Sequence, residues 1–276
     1  MPKGPLSFAL CNEIFGDRDP AWVFETVARL GYDGVELAPF TLAERASGIE
    51  QAERQALRRD AENRGLRIAA LHWLLVSPKG LHVTTLDEKV RRRTFDYLCD
   101  LVELAGDLGG DAMVLGSPKQ RSLLPGQDRD EAMHAMAEGL RQVGDAAGRR
   151  GVRFCLEALH PRETNFLNTI EEVLELLALV RHPHIRYMLD IKALSGMPGT
   201  IVETIRRYGR DSGHIHVNEP SGLAPGMGDF SFDEIMQAIV QSGYRGWVSV
   251  EPFDYKPDPE TVGRTALAAL RKGLGG

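Results

Sequence analysis

Gly31-Tyr-Asp-Gly34-Val-Glu36 and Gly243-Tyr-Arg-Gly246-Trp-Val-Ser-Val-Glu251 follow one plan, near opposite ends of a 276-residue chain. In each, a glycine suited to end a helix turns the chain into a short apolar run. Gly65-Leu-Arg-Ile and Gly151-Val-Arg-Phe repeat the turn. Working outward, eight apolar runs are found: Leu6–Cys11, Gly34–Leu37, Arg67–Leu71, Ala112–Leu115, Val152–Leu156, Ile185–Leu189, His214–Val217 and Trp247–Val250. Several are almost continuous in Val, Ile, Leu and Phe, as strands covered on both faces must be. Between them lie helical stripes. Phe232, Ile235, Met236, Ile239 and Val240 share one helix face, as do Ile170, Val173, Leu174 and Leu177. Thr169-x-x-Glu172 and Ser231-x-x-Glu234 have the form of capping boxes. Eight β-then-α units predict an α/β protein, a (β/α)8 TIM barrel forming a single domain over residues 1–276. A doubly wound sheet would place a glycine-rich turn after its first strand, and Leu10-Cys-Asn-Glu-Ile-Phe15 has none.

Composition narrows the function. Apolar residues are 43% and charged residues 26%, which excludes a disordered chain. The 33 Lys and Arg against 39 Asp and Glu leave a net charge of −6, so no nucleic-acid partner is expected. No apolar stretch reaches the ~18 residues of a membrane span. The opening MPKGPLSFALCNEIFGD lacks a secretory-leader pattern, so the chain is read as cytoplasmic. Three cysteines without a CxxC support neither a zinc finger nor a disulfide framework, and Cys11 and Cys155 are read as buried thiols.

In this fold the active site lies at the C-terminal ends of the strands. Glu13, Glu36 and His72 stand at the first three, and Gly116-Ser-Pro-Lys-Gln-Arg121 at the fourth. The last four runs lead directly into Glu157, Asp190, His216 and Glu251. Three carboxylates converging on one mouth repel one another unless a cation is present. Three carboxylates and one imidazole suit Mn2+, with Mg2+ or Co2+ as alternatives. His72, Lys119 and Arg121 are candidate substrate contacts, the two basic residues being either grips for substrate oxygens or solvated, and Glu163 and Asn168 lie in a loop after the fifth run that can fold over the pocket. His214 is expected beneath His216 rather than as a ligand, because it lies two residues earlier on the same side of the strand. Trp73, Phe253 and Tyr255 are candidate pocket walls.

Over essentially its whole length the chain resembles the xylose-isomerase-like TIM-barrel superfamily, in its sugar phosphate isomerase/epimerase branch. The resemblance lies in the order and spacing of Gly31–Glu36, Gly116–Arg121, Leu156-Glu157 with Glu163-Thr-Asn-Phe-Leu-Asn-Thr169, Leu189-Asp190, His214-Ile-His216, Pro225-Gly-Met-Gly-Asp229 and Gly246-Trp-Val-Ser-Val-Glu251-Pro. It implies one divalent metal, often Mn2+, on Glu157, Asp190, His216 and Glu251. The chain is similar to the ketose 3-epimerases. In these, the glutamates matching Glu157 and Glu251 also exchange the substrate proton, and one matching Glu163 contacts the sugar. Two positions depart from that pattern. Ala193 stands where those enzymes have histidine and Gly222 where they have arginine, with Lys192, Lys119 and Arg121 as a different set of grips.

The implied activity is that of a metal-dependent sugar isomerase, a ketose or keto-sugar epimerase of carbohydrate metabolism. It would work by proton abstraction beside a metal-bound carbonyl, through an enediolate. The alternatives are a lyase that expels a β-substituent from 3-keto sugars or glycosides, a non-catalytic sugar-binding barrel, and the DNA-repair endonuclease that shares the fold. The expected partner is a small-molecule sugar, and the branch suggests a homodimer or homotetramer.

Overall fold

The computed structural model describes residues 6–275. Its strands are β1 (Leu6–Cys11), β2 (Gly34–Leu37), β3 (Arg67–Leu71), β4 (Ala112–Leu115), β5 (Arg153–Glu157), β6 (Ile185–Asp190), β7 (Ile215–Val217) and β8 (Gly246–Val250). Their limits match the apolar runs to within one residue. Each strand pairs in parallel with the next, and β8 returns to β1 with Gly246 opposite Leu6, closing the barrel. Closure removes the unpaired edges that an open sheet would expose. The fold is the expected (β/α)8 barrel.

The helices follow the strands: α1 (Pro20–Leu30), α2 (Gln51–Asn63), α3 (Glu88–Leu108), α4 (Arg129–Arg150), α5 (Ile170–Val180), α6 (Ile191–Leu194), α7 (Ile201–Tyr208), α8 (Asp233–Gln241) and α9 (Pro259–Gly273). Local chemistry sets their ends. Asp87 and Asp128 accept backbone N–H groups at the starts of α3 and α4. Gly151 ends α4 in the left-handed region, where a side chain would be strained. Thr169 caps α5 by accepting from Glu172 N, while the Glu172 carboxylate reaches back to Asn168 N. The second expected box is displaced: α8 begins at Asp233, with Phe232 at its cap. The reciprocal box occurs instead at Thr200 and Glu203 of α7.

Apolar helix faces pack on the strands in one large core that includes Val27, Phe95, Leu98, Val143, Val173, Ile235 and Ile239. Val240 departs from its expected stripe and is 42% exposed. A smaller cluster of Ala70, Ala112, Val114, Cys155 and Met188 joins β3 to β6. Among the described residues, no helix is long and apolar enough to cross a membrane. Cys11 and Cys155 are buried free thiols, as read from the sequence.

Candidate active site

Strand register brings the candidate ligands together. Asp190 ends β6 directly beside His216 of β7, and His216 pairs in turn with Ser249 of β8, two residues before Glu251. One donor atom each from Asp190, His216 and Glu251 lie within 4.8 Å of one another. Glu157 lines the same pocket but stands outside this close trio among the described residues. Its carboxylate is turned toward Gly116, which leaves it room because residue 116 has no β-carbon.

All four side chains are buried, and their charges are unbalanced. Burial raises the Glu157 carboxyl well above the usual range, and the charges of Asp190 and Glu251 push it further. Burial, then Glu251, pushes Asp190 up to about 6. Burial opposes ionisation of Glu251 too, but the adjacent His216 outweighs it and holds that carboxyl low. His216 itself is raised well above the ordinary imidazole range, because Glu36 and Glu251 overcome the cost of burying its cation. The site therefore holds more negative charge than its own residues neutralise.

A divalent cation fits this set. His216 Nε2 lies 2.9 Å from Glu36 Oε1, so that nitrogen is taken. Nδ1 is buried without an aligned hydrogen bond, although it lies 3.0 Å from Glu251 Oε2. An orphaned imidazole nitrogen facing two carboxylates is a ligand position for a borderline or hard divalent ion. Asp190 Oδ1 accepts from Ala193 N at 2.7 Å and Oδ2 from Asn218 Nδ2 at 2.8 Å, which fixes the carboxylate while leaving a lone pair on each oxygen.

Above these residues is a small pocket of about 60 Å³. Trp73 and Phe253 form part of its wall, with ring centroids 6.4 Å apart. Tyr255 is not among the lining residues. Glu163 and Lys192 both line it, and Lys192 Nζ donates to Glu163 Oε1 at 2.6 Å while resting 4.7 Å from the centre of the Phe253 ring. His72 also borders the pocket, but its nitrogens are turned elsewhere. Nε2 meets Glu13 Oε2 at 2.8 Å, and Nδ1 lies 3.6 Å from Glu36 Oε1.

The two basic residues after β4 are corrections to the sequence reading. Arg121 was expected on the substrate or in solvent and is in neither. It is wholly buried, donating to the carbonyls of Glu157, Leu115 and Leu167. It ties the ends of β4 and β5 to the loop before α5 and does not line the pocket. Lys119 is exposed on the turn Pro118–Gln120 and does not line the pocket. Asn168 holds its own loop through Leu159 O and Thr164 O.

The roles of Gly116, Asn218 and Glu36 emerge only in three dimensions, although Gly116 and Glu36 already stand at strand ends in the sequence. Asn218 gave no sequence signal, although it follows His216 by two residues, just past the end of β7. Besides Asp190, it holds Lys192 N on its Oδ1 at 2.9 Å.

A profile of the xylose isomerase-like TIM barrel family matches residues 24–273. The chain belongs to the xylose isomerase-like TIM barrel family. Within it, the chain is 25% identical to a probable ketose 3-epimerase of Synechocystis sp. over 263 residues, covering 92% of this chain and 84% of that one. It is 28% identical to the D-psicose 3-epimerase of Ruminiclostridium cellulolyticum, covering 86% and 79%. The crystal structure of a D-psicose 3-epimerase with D-tagatose, from Clostridium cellulolyticum H10, superposes with a TM-score of 0.82 at 23% identity, covering 98% of both chains. These relatives are named as ketose 3-epimerases, enzymes of the isomerase class.

At Ala193 only the backbone serves the site, through its bond to Asp190. Gly222 has φ +88°, a conformation that an arginine would adopt only under strain.

Proposed function

We propose that this chain is a metal-dependent epimerase of ketoses or keto sugars, with Mn2+ as its ion and Glu157 and Glu251 as its proton-transfer groups. The observation that carries the reading is that Glu157 of β5 and the residue after β8, Glu251, border one pocket, with Asp190 and His216 on the strands between them. The names of the curated relatives support ketose chemistry and point to the carbon next to the carbonyl.

Glu157, Asp190, His216 and Glu251 would hold the ion. When bound, a divalent ion polarises a substrate carbonyl as a Lewis acid and so acidifies the neighbouring C–H. One glutamate takes that proton and the other returns one to the opposite face, inverting the centre. Lys192 and Glu163 offer a donor and an acceptor to sugar hydroxyls, and Trp73 with Phe253 covers an apolar sugar face. The change at Gly222 and the Lys192 pair favour a keto sugar other than a simple ketohexose.

The test is a panel of ketoses, keto-inositols and 3-keto glycosides incubated with Mn2+ in D2O and followed by NMR. Inversion with deuterium entering beside the carbonyl, abolished by EDTA, is the expected result. Release of an aglycone would reassign the protein as a lyase, and absence of exchange in every substrate would overturn the proposal.

A further inference from the structure

Glu36 lies inside β2, one residue before its end, and reaches across the barrel to β7. It is completely buried, and each carboxylate oxygen meets a different histidine. Oε2 lies 2.7 Å from His214 Nε2, and Oε1 lies 2.9 Å from His216 Nε2. His214 Nε2 is also 3.1 Å from Ser249 Oγ. The geometry points to Glu36 as the positioning residue of the metal site: it holds the Nε2–H of His216 so that Nδ1 is the nitrogen presented to the ion. The inference rests on the divalent-ion reading above and deepens it.

An ionised carboxylate can only accept, so each imidazole must carry its proton on Nε2. For His216 this leaves Nδ1 for a ligand. That nitrogen is buried and makes no aligned hydrogen bond, 3.0 Å from Glu251 Oε2. Without Glu36 the ring could retain its proton on Nδ1 or rotate, and either change removes a ligand. His214 serves the same end from the other side, by clamping Oε2 so that Oε1 remains aimed at His216. Hydrogen bonding of this kind to a ligating imidazole is generally worth 10–100-fold in metal affinity.

The test uses the full chain, with Mn2+ titration and 15N-histidine NMR of the Zn2+-loaded protein. Glu36→Met removes both acceptors at similar volume and should weaken Mn2+ binding by about 10–100-fold. Glu36→Gln keeps one acceptor oxygen and should fall between it and the wild type. In wild-type protein the Zn2+-bound nitrogen of His216 should be Nδ1, with a slowly exchanging Nε2–H. Equal Mn2+ affinity in wild type and Glu36→Met, or ligation through Nε2, would overturn the inference. Should Glu36→Met fail to fold, an unweakened Glu36→Gln with an unaltered His216 and His214 spectrum would overturn it as well. A wild-type protein that takes up no Mn2+ sinks the metal reading itself, which is a different result.

Discussion

The Glu157 carboxylate occupies the space that a β-carbon on Gly116 would fill. Two consecutive strand ends, β4 and β5, are thereby shaped to each other, and the position of one proposed proton carrier depends on a missing methyl group on its neighbour. Gly116→Ala should displace the carboxylate without unfolding the barrel, because the backbone at residue 116 is not in the left-handed region. We expect kcat to fall at least tenfold while the circular dichroism spectrum is unchanged; an unimpaired kcat would mean that Glu157 works from elsewhere.

Replacing either proton carrier should stop the exchange. Glu157→Gln and Glu251→Gln each remove one acid–base group, a loss of about 10²–10⁴ in rate. Solvent deuterium should cease to enter the substrate in both, by NMR. Full exchange retained in either variant would contradict the two-glutamate scheme.

Metal-free protein should be less stable at higher pH because of the acids it confines. Glu157 is raised in the fold by burial and by Asp190 and Glu251, and Asp190 is raised to about 6 by burial and Glu251. A carboxyl raised in this way contributes stability below its unfolded pKa of ~4, and that contribution is lost as pH climbs through the folded value. Glu157→Gln should therefore raise the Tm of EDTA-treated protein at pH 8 by a few degrees and give no gain at pH 4. A Tm at pH 8 that does not rise would place Glu157 in a milder setting than the geometry implies.

Asn218 is buried between Asp190 and the carbonyl of Glu251, donating to both at 2.8 and 3.2 Å. Asn218→Ala leaves these acceptors bare and frees the Asp190 carboxylate to turn. Stability should drop by about 1–3 kcal/mol, and Mn2+ affinity by about 10–100-fold, measured by thermal melts and by titration. A stability loss with undiminished affinity would confine Asn218 to a packing role.

The barrel was legible because a strand buried on both faces must be written in apolar residues, and the ends of those runs marked where polar groups could project. Glu157, Asp190, His216 and Glu251 follow such runs directly. The same logic misjudged Arg121: a Pro-Gly-bounded loop suggests solvent, but the carbonyls at the ends of β4 and β5 needed a buried donor, and only tertiary structure brings them to one guanidinium. Glu36 was read as a strand-end residue, yet it sits one position earlier, on the inward face, where its partners are 178 and 180 residues away. Gly116 and Asn218 act through neighbours on other strands, so no local pattern marks them.

The most direct measurement is a titration of EDTA-treated protein with Mn2+, with Asp190→Asn and His216→Ala titrated alongside. Wild-type chain should take up one ion, and both variants should bind it far more weakly while remaining folded. No uptake by the wild type, or uptake that both variants match, would contradict a site built on β5 to β8 around a single cation.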